Sequence, residues 1–297
     1  MPITANQKTV LLTVVGGVAL LVLAVFLWWN FIHQGPHRVF ESMLTNNLRT
    51  SSVTKYEKTS NGSQTAQQYV RLQLGGTNAA QWLVSISQPG LNVTTESIGT
   101  PTTGYVRYVN ATSGKKDANG KAVDFSSILN IWGKAAPKEQ SSLTQLFSQS
   151  ILDIGTVPAP PIGNVTPEQQ ENITTFMSQQ GVFTPNYQTM QRKMLDGREV
   201  YVYDVSVKLA PYVRMMQVFA SNIGLKDLQS LDPTQYQSAQ PIKLTMSVDA
   251  SSHQLKQITY AQSGFTETYS DYGLSTPIAV PGKTIPASEL QSRLQKL

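Results

Sequence analysis

The chain has 297 residues, a formal net charge of +5 and 14% charged residues, against roughly 25% in an average soluble protein. An apolar content of 40% excludes a disordered chain. The absence of cysteine excludes disulfide frameworks, Cys-ligated zinc or iron–sulfur sites, thiol nucleophiles and lipidation at cysteine.

From Val10 to Trp29 the chain runs without a charge. At 1.5 Å per residue such a helix covers about 30 Å, the thickness of a bilayer core. Lys8 precedes the run, and Trp28 and Trp29 close it as interfacial aromatics do. A cleaved secretory signal would have about 7 to 15 apolar residues and a small-residue exit, whereas here the exit is Trp-Trp-Asn-Phe-Ile-His. The expectation is a single-pass anchor inserted in the cell membrane through residues 10–29. Residues 1–31 then form a cytoplasmic stub plus span, and residues 32–297 an extracytoplasmic domain. Charge counting alone does not orient the span, because Lys8 lies on one side and His37, Arg38 and Arg49 on the other. Low charge, absent cysteine and abundant Gln, Ser, Thr and Asn all fit the outside. Lys8 is the one formally charged side chain in residues 1–31, which leaves +4 on the outer domain. With no basic run beyond Lys115-Lys116, nucleic acid is excluded as a partner. Five N-x-S/T sequons begin at Asn61, Asn92, Asn110, Asn164 and Asn172.

After the anchor, Pro36 opens a predicted helix with Val39, Phe40, Met43 and Leu44 on one face, ending near Asn46-Asn47. Alternation then predicts strands over 66–74, with Val70, Leu72 and Leu74 inward, and over 81–87, with Trp82, Val84 and Ile86 inward. Shorter β runs lie near Leu91–Ser97 and Gly104–Asn110, with turns at Gly75-Gly76 and Pro89-Gly90. Two helical stretches follow, about 124–132 and 138–151, and then a Pro-rich loop from Val157 to Gly163.

Thr166-Pro167-Glu168-Gln169 signals a helix start and Gly181 its end. Strands Gln188–Met194 and Arg198–Leu209 flank Asp196-Gly197, a hairpin signal. Pro211 opens a helix with a stripe of Tyr212, Met215, Met216, Phe219 and Ile223, bounded by Gly224. A meander over Ile242–Val248, Leu255–Ala261 and Phe265–Tyr272 follows, then a Pro-rich tail and a short helix from Ala287.

This order, with Asp196 to Tyr203 (DGREVYVY), Thr245 to Ile258 (TMSVDASSHQLKQI) and Ser270-Asp271-Tyr272-Gly273 before Pro277 to Pro281, resembles the LolA-like carriers, especially the LppX/LprG lipoproteins, over residues 36–285. The resemblance implies an α+β fold: after the transmembrane helix, a curved antiparallel β-sheet forming an open half-barrel covered by helices. It also implies a lipid or other apolar ligand held between sheet and helices. The lining would draw on Val70, Leu72, Trp82, Val84, Tyr201, Tyr203, Leu244 and Met246, and the lid on Met215, Met216 and Phe219, since flexible thioethers suit surfaces that repack. The family's lipidated cysteine is missing here, and the membrane helix would replace it as anchor.

The same residues also read as an ordinary filled core, in which case the chain is a non-enzymatic interaction domain with envelope-protein partners. The two readings differ in whether Met215, Met216 and Phe219 border open space. His33 and His37 read as juxtamembrane side chains and His253 as a solvated residue in a tight turn. No Ser-His-carboxylate pattern, Gly-x-Ser-x-Gly elbow, Walker-type loop or metal-ligand spacing is written in the chain. No enzyme activity, cofactor or metal is therefore expected. Asp204 reads as exposed, and Asp249 and Glu267 as a pair able to meet across strands.

Overall fold

A computed structural model of the chain describes residues 17–26, 28, 35–75, 78–116, 120–135, 159–225, 231–261, 264–274 and 276–297. Residues 17–26 are helical, and their apolar side chains are exposed, among them Leu20, Leu21 and Phe26. At 1.5 Å per residue this stretch covers about 15 Å, half a bilayer core. Among the described residues no helix is long and apolar enough to cross a membrane. The expected single-pass signal anchor over Val10–Trp29 is corrected accordingly: the structure supplies no spanning helix there, and residues 10–16, 27 and 29 lie outside the described residues.

The next element, helix α1 (Pro36–Asn47), has Pro in its first turn, where the missing N–H costs no intrahelical bond. Its Val39, Phe40 and Met43 are buried. Strands β1 (Ser52–Asn61), β2 (Gln64–Gln73), β3 (Ala79–Gln88), β4 (Leu91–Gly99) and β5 (Gly104–Ser113) form an antiparallel meander, and β6 (Gly133–Lys134) adds a short pairing with β5. Residues 124–132, expected to be helical, form turns and a bridge of Leu129 with Tyr108, and Asn130 has a φ of 58°. The second expected helix, 138–151, lies outside the described residues.

Helix α2 (Pro167–Gln180) starts with a reciprocal capping box between Thr166 and Gln169. It ends at Gly181, whose φ of 56° is the left-handed value glycine adopts without strain. Strands β7 (Phe183–Leu195) and β8 (Arg198–Val207) follow as a hairpin, then α3 (Leu209–Asn222), and then β9 (Ile242–Asp249), β10 (Leu255–Tyr260) and β11 (Thr266–Ser270) as a second meander. Strand β12 (Ile285–Pro286) runs parallel to β6 and leads into α4 (Ala287–Leu294).

Among the described residues twelve strands make one sheet, in the order β12-β6-β5-β4-β3-β2-β1-β11-β10-β9-β8-β7, antiparallel except at β12–β6. This wide sheet, with no membrane-length helix among the described residues, replaces the expected fold class of a transmembrane helix plus half-barrel. The two meanders meet only through β1 and β11, over Thr54–Glu57 and Glu267–Ser270. Helices α1, α2 and α3 stack on one face: Phe40 and Met43 of α1, Ile173 and Met177 of α2, and Met215, Met216 and Phe219 of α3 share a core with Val70, Trp82, Tyr203, Met246 and Ile258 of the strands. On the opposite face of β3 to β5, Ile278 of the C-terminal segment covers Ala79, Ile98 and Tyr105.

Strand β7 is an edge, and edges invite pairing with other chains. Pro185 removes one donor from it, the pairing slips between Asn186 and Gln191, and Arg192 and Lys193 follow. All three are devices that blunt an edge strand.

Candidate functional site

The residues that the resemblance placed around a ligand are packed together. Tyr203, Met215, Met216, Phe219, Leu244 and Met246 are 0 to 2% exposed, and Tyr201 and Trp82 are also buried. Val84 is half-buried and packs against the same core. Tyr203 pairs with Met246 and Tyr201 with Val248 across β8–β9, so the register brings these side chains to the helix-facing side. Met215, Met216 and Phe219 are thus closed off from solvent. The Pro-rich loop closes over Phe219: a β-carbon on Gly163 would stand 2.6 Å from its ring. Tyr212 donates to the Ala159 carbonyl at 3.2 Å from the same loop.

Open space lies to one side of this core, in a groove of about 760 Å³ between α1 and α2, floored by the start of β7. Phe40, Glu41, Leu44 and Thr45 line one wall, and Thr174, Thr175, Met177, Ser178 and Gln179 the other. Gly181, Phe183, Thr184, Pro185 and Tyr187 line the floor. The size falls within the range of small-molecule sites.

Each wall is positioned by a local device. Tyr203 donates to the Pro36 carbonyl at 2.8 Å, which pins the start of α1 to the middle of β8. His37 stacks on Tyr187 with ring centroids 3.6 Å apart, and Phe40 meets the edge of Tyr203 at 5.1 Å. The capping box sets where α2 begins, and the Val182 amide donating to the Met177 carbonyl at 3.0 Å sets how it turns into β7. Burial raises the Tyr187 phenol above its usual range, and the nearby Glu41 carboxylate raises it further. Burial foremost, with the neighbouring Tyr187 and Tyr201 phenols adding to it, places the Tyr203 phenol far higher, so it remains a neutral donor.

A second polar constellation lies where the meanders join. Lys55 Nζ is 3.8 Å from Glu57 Oε1 and 3.8 Å from Glu267 Oε1. Tyr260 and Tyr269 both donate to Glu267 Oε2, at 3.0 Å and 2.5 Å. Glu267 therefore does not meet Asp249. Asp249 instead accepts from the Ser251 and Ser252 amides at 2.9 Å and 2.8 Å and from Arg198 at 3.4 Å. Burial opposes its charge, but these donors, the Ser252 amide foremost, hold the carboxyl below the usual carboxylate range. His253 occupies the same turn with a φ of 53° and is buried, not solvated as its position suggested. His33 lies outside the described residues. Asp204 is exposed and accepts from Thr189 at 2.9 Å. Among the described residues no group of three His, Cys, Asp or Glu side chains could hold a metal ion.

The groove residues were not legible as a site. Glu41, Thr174, Ser178 and Thr184 belong to no motif, and α1 and α2 are far apart in the chain. The single usable hint was Pro185 beside Tyr187, which interrupts an otherwise regular strand.

The architecture is that of a broad antiparallel sheet with helices on one face and a lateral groove. No protein-family model matches the chain, and no curated protein does. A solved porin-like protein from Bacteroides uniformis ATCC 8492 aligns with a TM-score of 0.19 and 9% identity, covering 74% of this chain and 96% of that one, a likeness too slight to carry an argument.

Proposed function

We propose that the chain is a non-enzymatic extracytoplasmic binding domain that takes an amphiphilic ligand, such as a lipid, in the groove between α1, α2 and β7. The groove itself carries the reading: it has ligand-site volume, an apolar base of Phe40, Leu44, Phe183 and Pro185, and a rim of threonine, serine and glutamine. The resemblance to LolA-like carriers supports an apolar ligand held between sheet and helices. The groove moves that ligand away from Met215, Met216 and Phe219 to the open side of α1. Low charge and the absence of cysteine support an extracytoplasmic setting.

Native mass spectrometry with organic extraction tests it on the chain expressed in a lipid-containing host. The expected result is a stoichiometric co-purifying amphiphile that is lost in Leu44→Lys and retained in Met216→Leu. The packed core favours a second reading, an interaction domain with envelope-protein partners. A ligand-free mass for the wild type, with no uptake on titration with lipid, selects that reading.

A further inference from the structure

Among the described residues that line the groove, Glu41 is the only formally charged side chain. It is exposed on α1 and forms no ion pair among the described residues. Along the helix, Arg38 forms no ion pair with it among the described residues, and His37 lies against the Tyr187 ring. Lys208 is a cation near the groove, with its Nζ 3.4 Å from where a β-carbon on Gly181 would stand, at the C-terminal end of α2. There it faces the end of a helix dipole that favours a cation, and it leaves the Glu41 end of the groove negative. Tyr187 stands on the floor of the groove with its ring engaged by His37, so the carboxylate rather than the ring is the feature open to a head group. A carboxylate at the rim of an apolar groove suits an ammonium group attached to a hydrocarbon chain.

We infer that the groove discriminates by charge and takes amphiphiles with a cationic, amine or quaternary ammonium, head group, placed at Glu41 with the chain along Phe40, Leu44 and Phe183. The inference rests on the groove being the ligand site. An anionic head group is disfavoured at the same position, because it would meet the Glu41 carboxylate without a compensating cation. Glu41 is exposed, so the preference is modest: about two- to fivefold over a neutral head group, and weakened by salt.

The test uses the full chain at low ionic strength and three amphiphiles with the same ten-carbon tail, decyltrimethylammonium, decyl maltoside and decanoate, each titrated below its micelle concentration by calorimetry. The expected order of affinity is ammonium, then maltoside, then decanoate. Glu41→Gln should bring the ammonium and maltoside values together without abolishing binding, and Leu44→Lys should abolish binding of all three. Equal affinities in the wild type, or an ammonium preference that survives Glu41→Gln, overturns the charge inference and leaves the groove reading intact. No binding of any amphiphile, or binding indifferent to Leu44→Lys, overturns the groove reading itself.

Discussion

Glu57 and Glu267 stand directly opposite each other in the four-residue pairing that joins the two meanders, with the Lys55 ammonium 3.8 Å from a carboxylate oxygen of each. Like charges facing across a strand pair destabilise it, so the joint depends on the cation between them. Lys55 and Glu267 are both buried, and removing one partner from such a cluster is costlier than never having built it. Lys55→Met should lower stability by about 3 to 5 kcal/mol in urea unfolding. Lys55→Met with Glu267→Met should recover part of that loss, and a double variant no better than the single one would refute the account.

Gly163 tests the closure over α3. A methyl group there would sit 2.6 Å and 2.8 Å from two carbons of the Phe219 ring, and that ring is fully buried with nowhere to go. Gly163→Ala should cost about 1 to 3 kcal/mol by overpacking. Combining it with Phe219→Leu should give less than the summed losses, because the smaller side chain vacates the contested volume. A purely additive pair, read from denaturant midpoints, would count against the packing described.

Asp249 sets an acid limit. Its carboxyl titrates below the ordinary range when folded, so its contribution is complete above the unfolded value of about 3.9 and is lost as pH falls through the lower native value. Unfolding midpoints should therefore be level on this account above about pH 5 and fall below about pH 4. Asp249→Asn should be less stable at neutral pH by about 1 to 3 kcal/mol and show a shallower acid decline. An unchanged decline in the variant would remove Asp249 from the explanation.

The start of α2 offers a milder perturbation of the groove wall. Thr166→Ala removes the side chain that accepts from the Gln169 amide at 3.3 Å and should cost about 1 kcal/mol. Thr166→Asn preserves a capping oxygen and should stay near wild type. Hydrogen exchange at the first amides of α2 provides the measurement, and equal protection in both variants would contradict the assigned cap.

What could be read in the sequence was whatever depends on neighbours in the chain. The β7–β8 hairpin is signalled by Asp196-Gly197, and both residues have the positive φ, 49° and 75°, that such a turn requires. The capping of α2 and the stripe of α3 are equally local. Strand β1 was invisible because its helix-facing residues after Val53 are Lys55 and Glu57, so alternation of apolar and polar residues is missing. The start of β7 was hidden by Pro185, which only an edge strand tolerates. The region 124–132 had helical spacing but is held as turns by its pairing with β5. The groove depends on α1 approaching α2 from another part of the chain, which no local pattern encodes.

The strand order also dictates a schedule. Strand β1 finds its second neighbour, β11, more than two hundred residues later, so during synthesis the first meander waits with one long border unsatisfied until nearly all of the chain has emerged. Closing so distant a contact is slow. While it remains open, half-made molecules can zip onto one another through the same border. Yield on refolding should thus depend more steeply on protein concentration than the native state's solubility would suggest, because the finished molecule covers the Thr54–Glu57 part of that border.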